Sequence, residues 1–576
     1  MDQVIAADVR LGARHHATVA ALAEALAAAG SNVRQLAVPI SGLPRGDTSA
    51  RLSKVFVATR EVLVESWRVA RHLEHATAPG DIVLVSELAA AGGIFALEQA
   101  MKPQAERRSV VIAAGDGEML QHLAVAGTIE GVGPEAEAAI DWERVAYRFA
   151  SAVLSTNERA TTLLQGQGFD ATTIDLAEPP AGAAPFEGSV SGALGTIALP
   201  EPVSRLAQTP TMLRALSGIL NELVTGVEIF VSPEDRPDLV WIGSTWEVVD
   251  QLRAIVGAQL KRAIPDRADL VILGDPFAQP DEAARRLRAG GARVLVAAGS
   301  AAANRWPDAE VWVSADDLAE AVLRPRAAPG RPSFSVPALA RPPDDPSRAQ
   351  RVSVAVPVFR ELSYLDECLQ SIMEQSQSPH EVILIDDGSA SEDVTTALQL
   401  WQSKHPDVIR LLTQTNRGVC VARNHAIEAM SGDSFVLVDS DDTLHPDFIS
   451  ETAQALRADS ELWAVATWTE FFGDYHGVEA KPPFDERVGR RENPIVSTSA
   501  LVDMRLRDTP IRFVPDLAFL YCEDWAVWSE IVAAGGKMGL VTKPLARHRV
   551  HSASGGFRRS ELAHSLGKAR ATAPLR

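Results

Sequence analysis

The chain has 576 residues, a formal net charge of −20, 46% hydrophobic residues and 23% charged ones. That length exceeds a single core and implies roughly two to four domains. The acidic balance excludes general nucleic-acid binding and charge-driven docking on an anionic membrane.

No apolar run reaches the ~18–20 residues that span a bilayer. Met1 is followed at once by Asp2, without the basic start and apolar core of a signal peptide. Cys368, Cys420 and Cys522 form neither a disulfide framework nor a CxxC metal pair, so a reducing cytoplasm is the expected location.

The first part of the chain alternates short apolar runs with helical patterns. The runs are Ile82–Val85, Val110–Ala113, Val227–Val231, Leu239–Ile242, Leu270–Leu273 and Val294–Ala297. Ala17–Ala29 closes on Gly30, and Asp281–Ala289 closes on Gly290 and Gly291, as helices capped by glycine do. Such alternation predicts βαβ units around parallel sheets. An irregular stretch at Pro179–Gly195 divides it into two Rossmann-like domains, residues 1–190 and 191–325. The proline-rich segment Arg324–Arg351 reads as an extended linker, with residues 326–350 as its span.

A third domain, 351–560, follows, with a tail at 561–576. Val352–Val358 is apolar on both faces, as a buried parallel strand is. Leu365, Cys368, Leu369, Ile372 and Met373 fall on one helical face. Strands at Val382–Ile385, Val408–Leu412 and Phe435–Val438 alternate with helical stretches, the last from about Val419 to Met430. This is an α/β, doubly wound start, and such sheets bind ligands beyond the carboxyl ends of their strands.

Two acidic clusters fall at that edge. Val382–Ile385 runs into Asp386-Asp387-Gly388-Ser389, and Phe435–Val438 into Asp439-Ser440-Asp441-Asp442. Asp-Gly-Ser alone is also a common turn. Carboxylates stacked on neighbouring strand ends repel one another unless a cation lies among them, and hard oxygen ligands suit Mg²⁺ or Mn²⁺. Between the clusters, Gly418 opens a helix in which Arg423 falls one turn in, a natural diphosphate site. Further on, Glu523 and Asp524 open an apolar helix. A helix cap explains either one, and a general base is the preferred reading of Asp524. His548 and His551 follow a short strand-like run and could approach the acidic edge.

The ordered set VAVPVFRE, ILIDDGS, NRGVCVARN, VLVDSDD, CEDWAVW and HRVHSAS resembles the family 2 glycosyltransferases of the GT-A fold. The resemblance implies that Pro357, Phe359 and Glu361 line a nucleobase pocket, with Asp386 bonding the base, Asp387 beside it and Arg423 near the diphosphate. It implies that Asp439 and Asp441 match the DxD metal motif with Asp442 adjacent, that Asp524 is the catalytic base, and that His551 helps hold metal or diphosphate. The implied activity is inverting, metal-dependent transfer from a nucleotide-sugar, with UDP the commonest base. The acceptor would be a carbohydrate, lipid-linked or protein hydroxyl, in polysaccharide, glycolipid or glycoprotein synthesis. The membrane-embedded processive members carry Gln-x-x-Arg-Trp and transmembrane helices, neither of which is present.

Ala7–Leu11 and Val153–Asn157 more faintly resemble first-domain segments of GT-B glycosyltransferases of the family 4 type. The paired glutamates and glycine-rich donor approach of that family are missing, so residues 1–325 are expected to bind acceptor or partner without catalysing transfer. Two active transferase modules in one chain would be the opposite outcome. Asp439–Thr443 also satisfies the DxDxT signature of haloacid dehalogenase phosphatases, whose nucleophile sits on the first strand. A nucleotidyltransferase would need a GxGTR loop where the chain reads Pro357-Val358-Phe359-Arg360, and a carbohydrate-binding scaffold would need no carboxylate triplet.

Overall fold

The computed structural model describes elements within residues 3–39, 57–174, 196–232 and 260–323, and residues 345, 347–495, 499–515 and 522–551. The expected strand Leu239–Ile242, the divider Pro179–Gly195, most of the helix Ala17–Ala29, the linker 326–344 and all of the tail but Ala569 lie outside the described residues.

Three sheets follow one another along the chain. The first is six-stranded and parallel, in the order Asn32–Pro39, Gln3–Arg10, Ile82–Ser86, Ser109–Ala114, Ala152–Ser155, Ala171–Thr173. The second is also six-stranded and parallel, in the order Glu310–Trp312, Arg293–Ala297, Leu270–Leu273, Thr196–Leu199, Glu228–Val231, Leu260–Arg262. Both have the Rossmann-like pattern that alternating apolar runs and helices predict. Full burial of Leu270–Leu273 accounts for its uninterrupted apolar sequence.

The third sheet has nine strands and carries the candidate site. Ile409–Thr413, Glu381–Asp386, Val352–Val358 and Ser434–Leu437 run parallel in that order. All six residues of Glu381–Asp386 are buried, as are all of Val352–Val358 except half-buried Pro357. The helix Leu365–Met373 packs beside Thr443–Leu444 and buries Leu365, Cys368, Leu369 and Ile372, four of the five positions its periodicity marks, with Met373 half-buried. Beyond Ser434–Leu437 the sheet turns mixed. Leu501–Asp503 pairs antiparallel with both neighbours, then come Leu462–Gly473, Lys537–Val550 and the two-residue strand Thr443–Leu444. The long strand Lys537–Val550 brings residues near position 550 back to the end of the DSDD loop.

Asp345 and residues 347–350, read from sequence as the end of a linker, pack against this domain. Ala349 is fully buried, and Arg348 bonds Asp503 at 2.6 Å and the carbonyls of Asp459 and Leu462.

The first sheet's helices dock on the third domain through one continuous apolar core. Met101 lies so close to Gly539 that a Cβ there would meet its sulfur at 3.0 Å. Polar ties cross the same contact. Arg107 donates to the Ala458 carbonyl (3.1 Å), Thr542 to Glu98 (2.6 Å), and Arg144 pairs with Asp485 (3.1 Å). Asp141 receives Arg487 (3.2 Å) and also Arg491. Charges removed from water are tolerated only when paired in this way. Among the described residues no helix is long and apolar enough to cross a membrane.

Candidate functional site

The carboxyl ends of the parallel strands assemble one face of the site. Val352–Val358 runs into Phe359, an exposed ring with the Arg360 guanidinium 4.8 Å from its centroid. Arg360 has φ 62 and donates its N–H to Ser389 Oγ (2.9 Å), which couples this loop to DDGS on the next strand. Glu361 accepts from Ser363 N (2.8 Å), and the Ser363 hydrogen bonds hold its carboxyl below the ordinary range. Pro357, Phe359 and Glu361 therefore stand beside Asp386, whose strand partner is Val358.

The two aspartates of DDGS do different work. Asp386 Oδ1 accepts the Ser389 N–H (2.9 Å), closing the turn. Gly388 takes φ +71 against the Asn416 backbone, a conformation and an approach that need glycine. Asp387 is buried and accepts Gln414 Nε2 (2.7 Å), Arg417 N (3.0 Å) and Gly418 N (2.9 Å). It thus fixes the loop entering the helix Val419–Ala429 and has little left for a ligand.

Arg423 lies one turn into that helix and is 3% exposed. Its Nη2 meets Asp439 Oδ1 at 2.7 Å and its Nη1 meets Glu523 Oε1 at 2.9 Å. Burial alone would lower its pKa, and the two carboxylates raise it instead. Asp439 is thereby engaged by a buried cation, and the two are joined to the helix Glu523–Ala533. Glu523 Oε2 is buried without a hydrogen-bond partner among the described residues.

The members of the DSDD loop part company. Asp441 is about 29% exposed and lies 3.0 Å from His551 Nε2, the two side chains meeting at the open side of the loop. Asp442 is 1% exposed, and both its oxygens are taken, by His548 Nδ1 (3.0 Å) and Arg549 N (2.9 Å). Burial would lower the His548 pKa, but the hydrogen bond and charge of Asp442, with Asp439 and Asp441 beyond, raise it to about 9. Burial raises the Asp442 carboxyl against the pull of that imidazolium. Asp442 thus anchors the strand Lys537–Val550 to the loop. Among the described residues no group of three or more His, Cys, Asp or Glu is set to hold a metal. Asp441 with His551 is a smaller donor set. It fits an ion that takes one or two protein groups and fills its other positions with substrate phosphate and water.

Asp524 stands in the first turn of the helix Glu523–Ala533. Its Oδ1 accepts the Trp525 N–H (2.8 Å) and its Oδ2 accepts Asn493 Nδ2 (3.0 Å). The apolar side of this helix is buried through Trp525, Val527, Trp528 and Ile531, which fixes its angle to the sheet. The structure therefore joins Asp524, Glu523, Arg423, Asp439, Asp441 and His551 in one neighbourhood. Sequence reading missed Asn493 and Gln414, which lie in no recognisable motif, and His548 as the tie to Asp442.

A family model described as Glycosyl transferase family 2 matches residues 353–513. Asp524 and His551 lie beyond that match. Escherichia coli chondroitin synthase is 33% identical over 120 residues, 21% of this chain and 17% of that protein. The glycosyltransferase GlyG of Streptococcus pneumoniae serotype 4 is 31% identical over 134 residues, 22% and 43% of the two chains. Among solved structures, the mannosyltransferase PcManGT of Pyrobaculum calidifontis, in complex with GDP-Man and Mn²⁺, is 19% identical with a TM-score of 0.31. The alignment covers 41% of this chain and 75% of that one. The chain spans less than half the length of each of these curated relatives.

Proposed function

We infer that this chain, whose C-terminal part is a family 2 glycosyltransferase domain, moves a sugar from a nucleotide-sugar to an acceptor hydroxyl with inversion. What supports this reading is that Arg423 joins Asp439, which shares its loop with the Asp441–His551 pair, to Glu523, the neighbour of Asp524 in the helix Glu523–Ala533.

Pro357, Phe359 and Glu361 offer a ring and a carboxylate for the nucleobase, against Asp386 on the adjacent strand end. Asp441 and His551 would hold Mg²⁺ or Mn²⁺, which when bound supplies positive charge against the leaving diphosphate. Asp524 takes the proton of the acceptor hydroxyl. The acceptor oxygen then forms a bond to the anomeric carbon as the bond to the diphosphate breaks on the opposite face, which inverts the configuration in one step. Uridine is the favoured base, and the acceptor belongs to a saccharide, glycolipid or glycoprotein. Asp442, 1% exposed and turned into its bonds with His548 and Arg549, is left out of the proposed ligand set. Asp387 and Arg423 build the site and do not grip the donor directly.

A phosphatase reading of Asp439 is disfavoured. Its Oδ1 is held by Arg423, and the motif follows the fourth strand of this domain, not the first. Residues 1–325 are proposed to bind acceptor or partner without transferring sugar. In the second sheet, Glu201 accepts the backbone N–H of Gly274 (2.7 Å) and Asp275 (3.0 Å) at a strand end. A carboxylate there takes up the donors that a diphosphate would use and repels it.

The test is metal dependence. Asp441→Asn is expected to abolish nucleotide release from a panel of UDP-, GDP- and dTDP-sugars in Mn²⁺, as EDTA does to the parent. Full activity in EDTA would overturn the metal assignment.

A further inference from the structure

We propose that Asn493 is a positioning residue for Asp524, and that the first domain sets its place through Asp141. This rests on the reading of Asp524 as the base.

The local geometry is specific. Asn493 Oδ1 accepts the Ile495 N–H at 3.2 Å, so the amide group turns Nδ2 toward Asp524 Oδ2, 3.0 Å away. With Trp525 N on Oδ1, the carboxylate is held at both oxygens and cannot rotate freely. An ionised carboxylate offers about four lone-pair sites, so these two donors do not by themselves saturate it. A donor on the charged form also favours ionisation, which a base requires before it acts.

Asn493 is in turn placed from another domain. It follows the short helix Glu486–Arg491, whose first turn is capped by Asp485 Oδ1 on Val488 N (2.8 Å). The same Asp485 pairs with Arg144 of the first domain (3.1 Å). Arg487 reaches Asp141 (3.2 Å) and the Ile129 carbonyl (3.2 Å), and Arg491 reaches Asp141 as well. Asp141 and Arg487 are each 7% exposed, so the tie lies out of water and is stiff. The helix then holds the base from a second side, because the Gly489 carbonyl accepts Trp525 Nε1 (2.9 Å) and Trp525 adjoins Asp524. Asp141 thus fixes the helix, and the helix presents both Asn493 and the Trp525 anchor. A catalytic group needs such support to stay within reach of its substrate.

The charged and titratable groups facing Asp524 among the described residues are few. Glu523 adjoins it and holds Arg423 of the helix Val419–Ala429, and Cys420 faces it from the same helix. Glu492, beside Asn493, is paired with Lys481. None of them replaces the Asn493 N–H.

The experiment uses the full chain and the variants Asn493→Ala, Asp141→Asn and Asp524→Asn. UDP release from a mixture of UDP-glucose, UDP-galactose and UDP-N-acetylglucosamine in Mn²⁺ is followed from pH 5.5 to 9, and UDP affinity is measured by calorimetry. Asn493→Ala is expected to lower kcat about tenfold and to move the acidic limb of the rate profile up by about one pH unit, with UDP affinity unchanged. Asp141→Asn, a milder change that keeps the side chain's shape, gives the same signature in smaller measure. In the Asp524→Asn background, Asn493→Ala adds no further loss. The proposal is overturned if Asn493→Ala keeps the parental kcat and pH profile while Asp524→Asn is inactive, or if the two losses add. Parental turnover in Asp524→Asn would instead remove the base assignment itself, so the two failures are told apart.

Discussion

Arg423 donates to Asp439 across 2.7 Å from a position that is 3% exposed, and its other terminal nitrogen holds Glu523 at 2.9 Å. One guanidinium therefore neutralises two carboxylates from two different elements. Removing it leaves Glu523, 14% exposed, without compensation, and Asp439 with only water beside it. Arg423→Met is expected to cost about 3 kcal/mol of stability, read as a lower urea midpoint with an unchanged slope. A variant with the parental midpoint would show that the two carboxylates find other partners.

The Glu381 carboxyl offers a pH test. Burial alone would raise its pKa, but the N–H of Ser431, the hydroxyls of Ser353 and Ser431 and the Arg410 guanidinium outweigh that and lower it from 4.5 to about 2. A carboxyl depressed in the folded state stabilises above its unfolded pKa and loses that contribution as pH falls through the folded one. The window here is from about pH 4.5 down to about 2. Arg410 is half-exposed and screened, so the contribution is about 2 kcal/mol, less than full linkage gives. Glu381→Gln should be less stable than the parent at pH 7, with the gap narrowing between pH 5 and 3 in thermal unfolding. A gap that stays constant across that range would contradict the assignment.

Gly388 joins the two donor-side loops. At φ +71 an added Cβ would lie 2.4 Å from Asn416 N and 3.0 Å from the Gln414 carbonyl, and both contacts are backbone. Gly388→Ala is expected to cost about 1–3 kcal/mol and to weaken UDP binding, because DDGS and the loop before Val419 must separate. Parental melting together with parental affinity would show that the loops yield without cost.

The parallel half of the third domain was legible because each strand carries its own signal. Val352–Val358 and Glu381–Asp386 are buried on both faces and read as apolar runs. The helix Leu365–Met373 shows its buried face in its period. The acidic clusters follow strands directly, so their place at one edge came with the strands. The mixed half was not legible. Leu462–Gly473 and Lys537–Val550 pair across many intervening residues, and no local pattern announces that register. The division of labour within DSDD was equally hidden, since His548 claims Asp442 and His551 meets Asp441 only once the last strand returns. Arg423 read as a diphosphate ligand because a helix start with an arginine suggests one. Burial between two carboxylates is a tertiary fact. The docking of Asp141 on Arg487 and Arg491 lies in the same class.

The most direct test of the central claim is the rate of nucleotide release by Asp524→Asn relative to the parent chain, with Mn²⁺ and a panel of UDP-, GDP- and dTDP-sugars. The parent is expected to release nucleotide from donors of one base series, and Asp524→Asn to lose that rate by ~10²–10⁴-fold while nucleotide affinity is retained. An Asp524→Asn chain that turns over at the parental rate would contradict sugar transfer by this site.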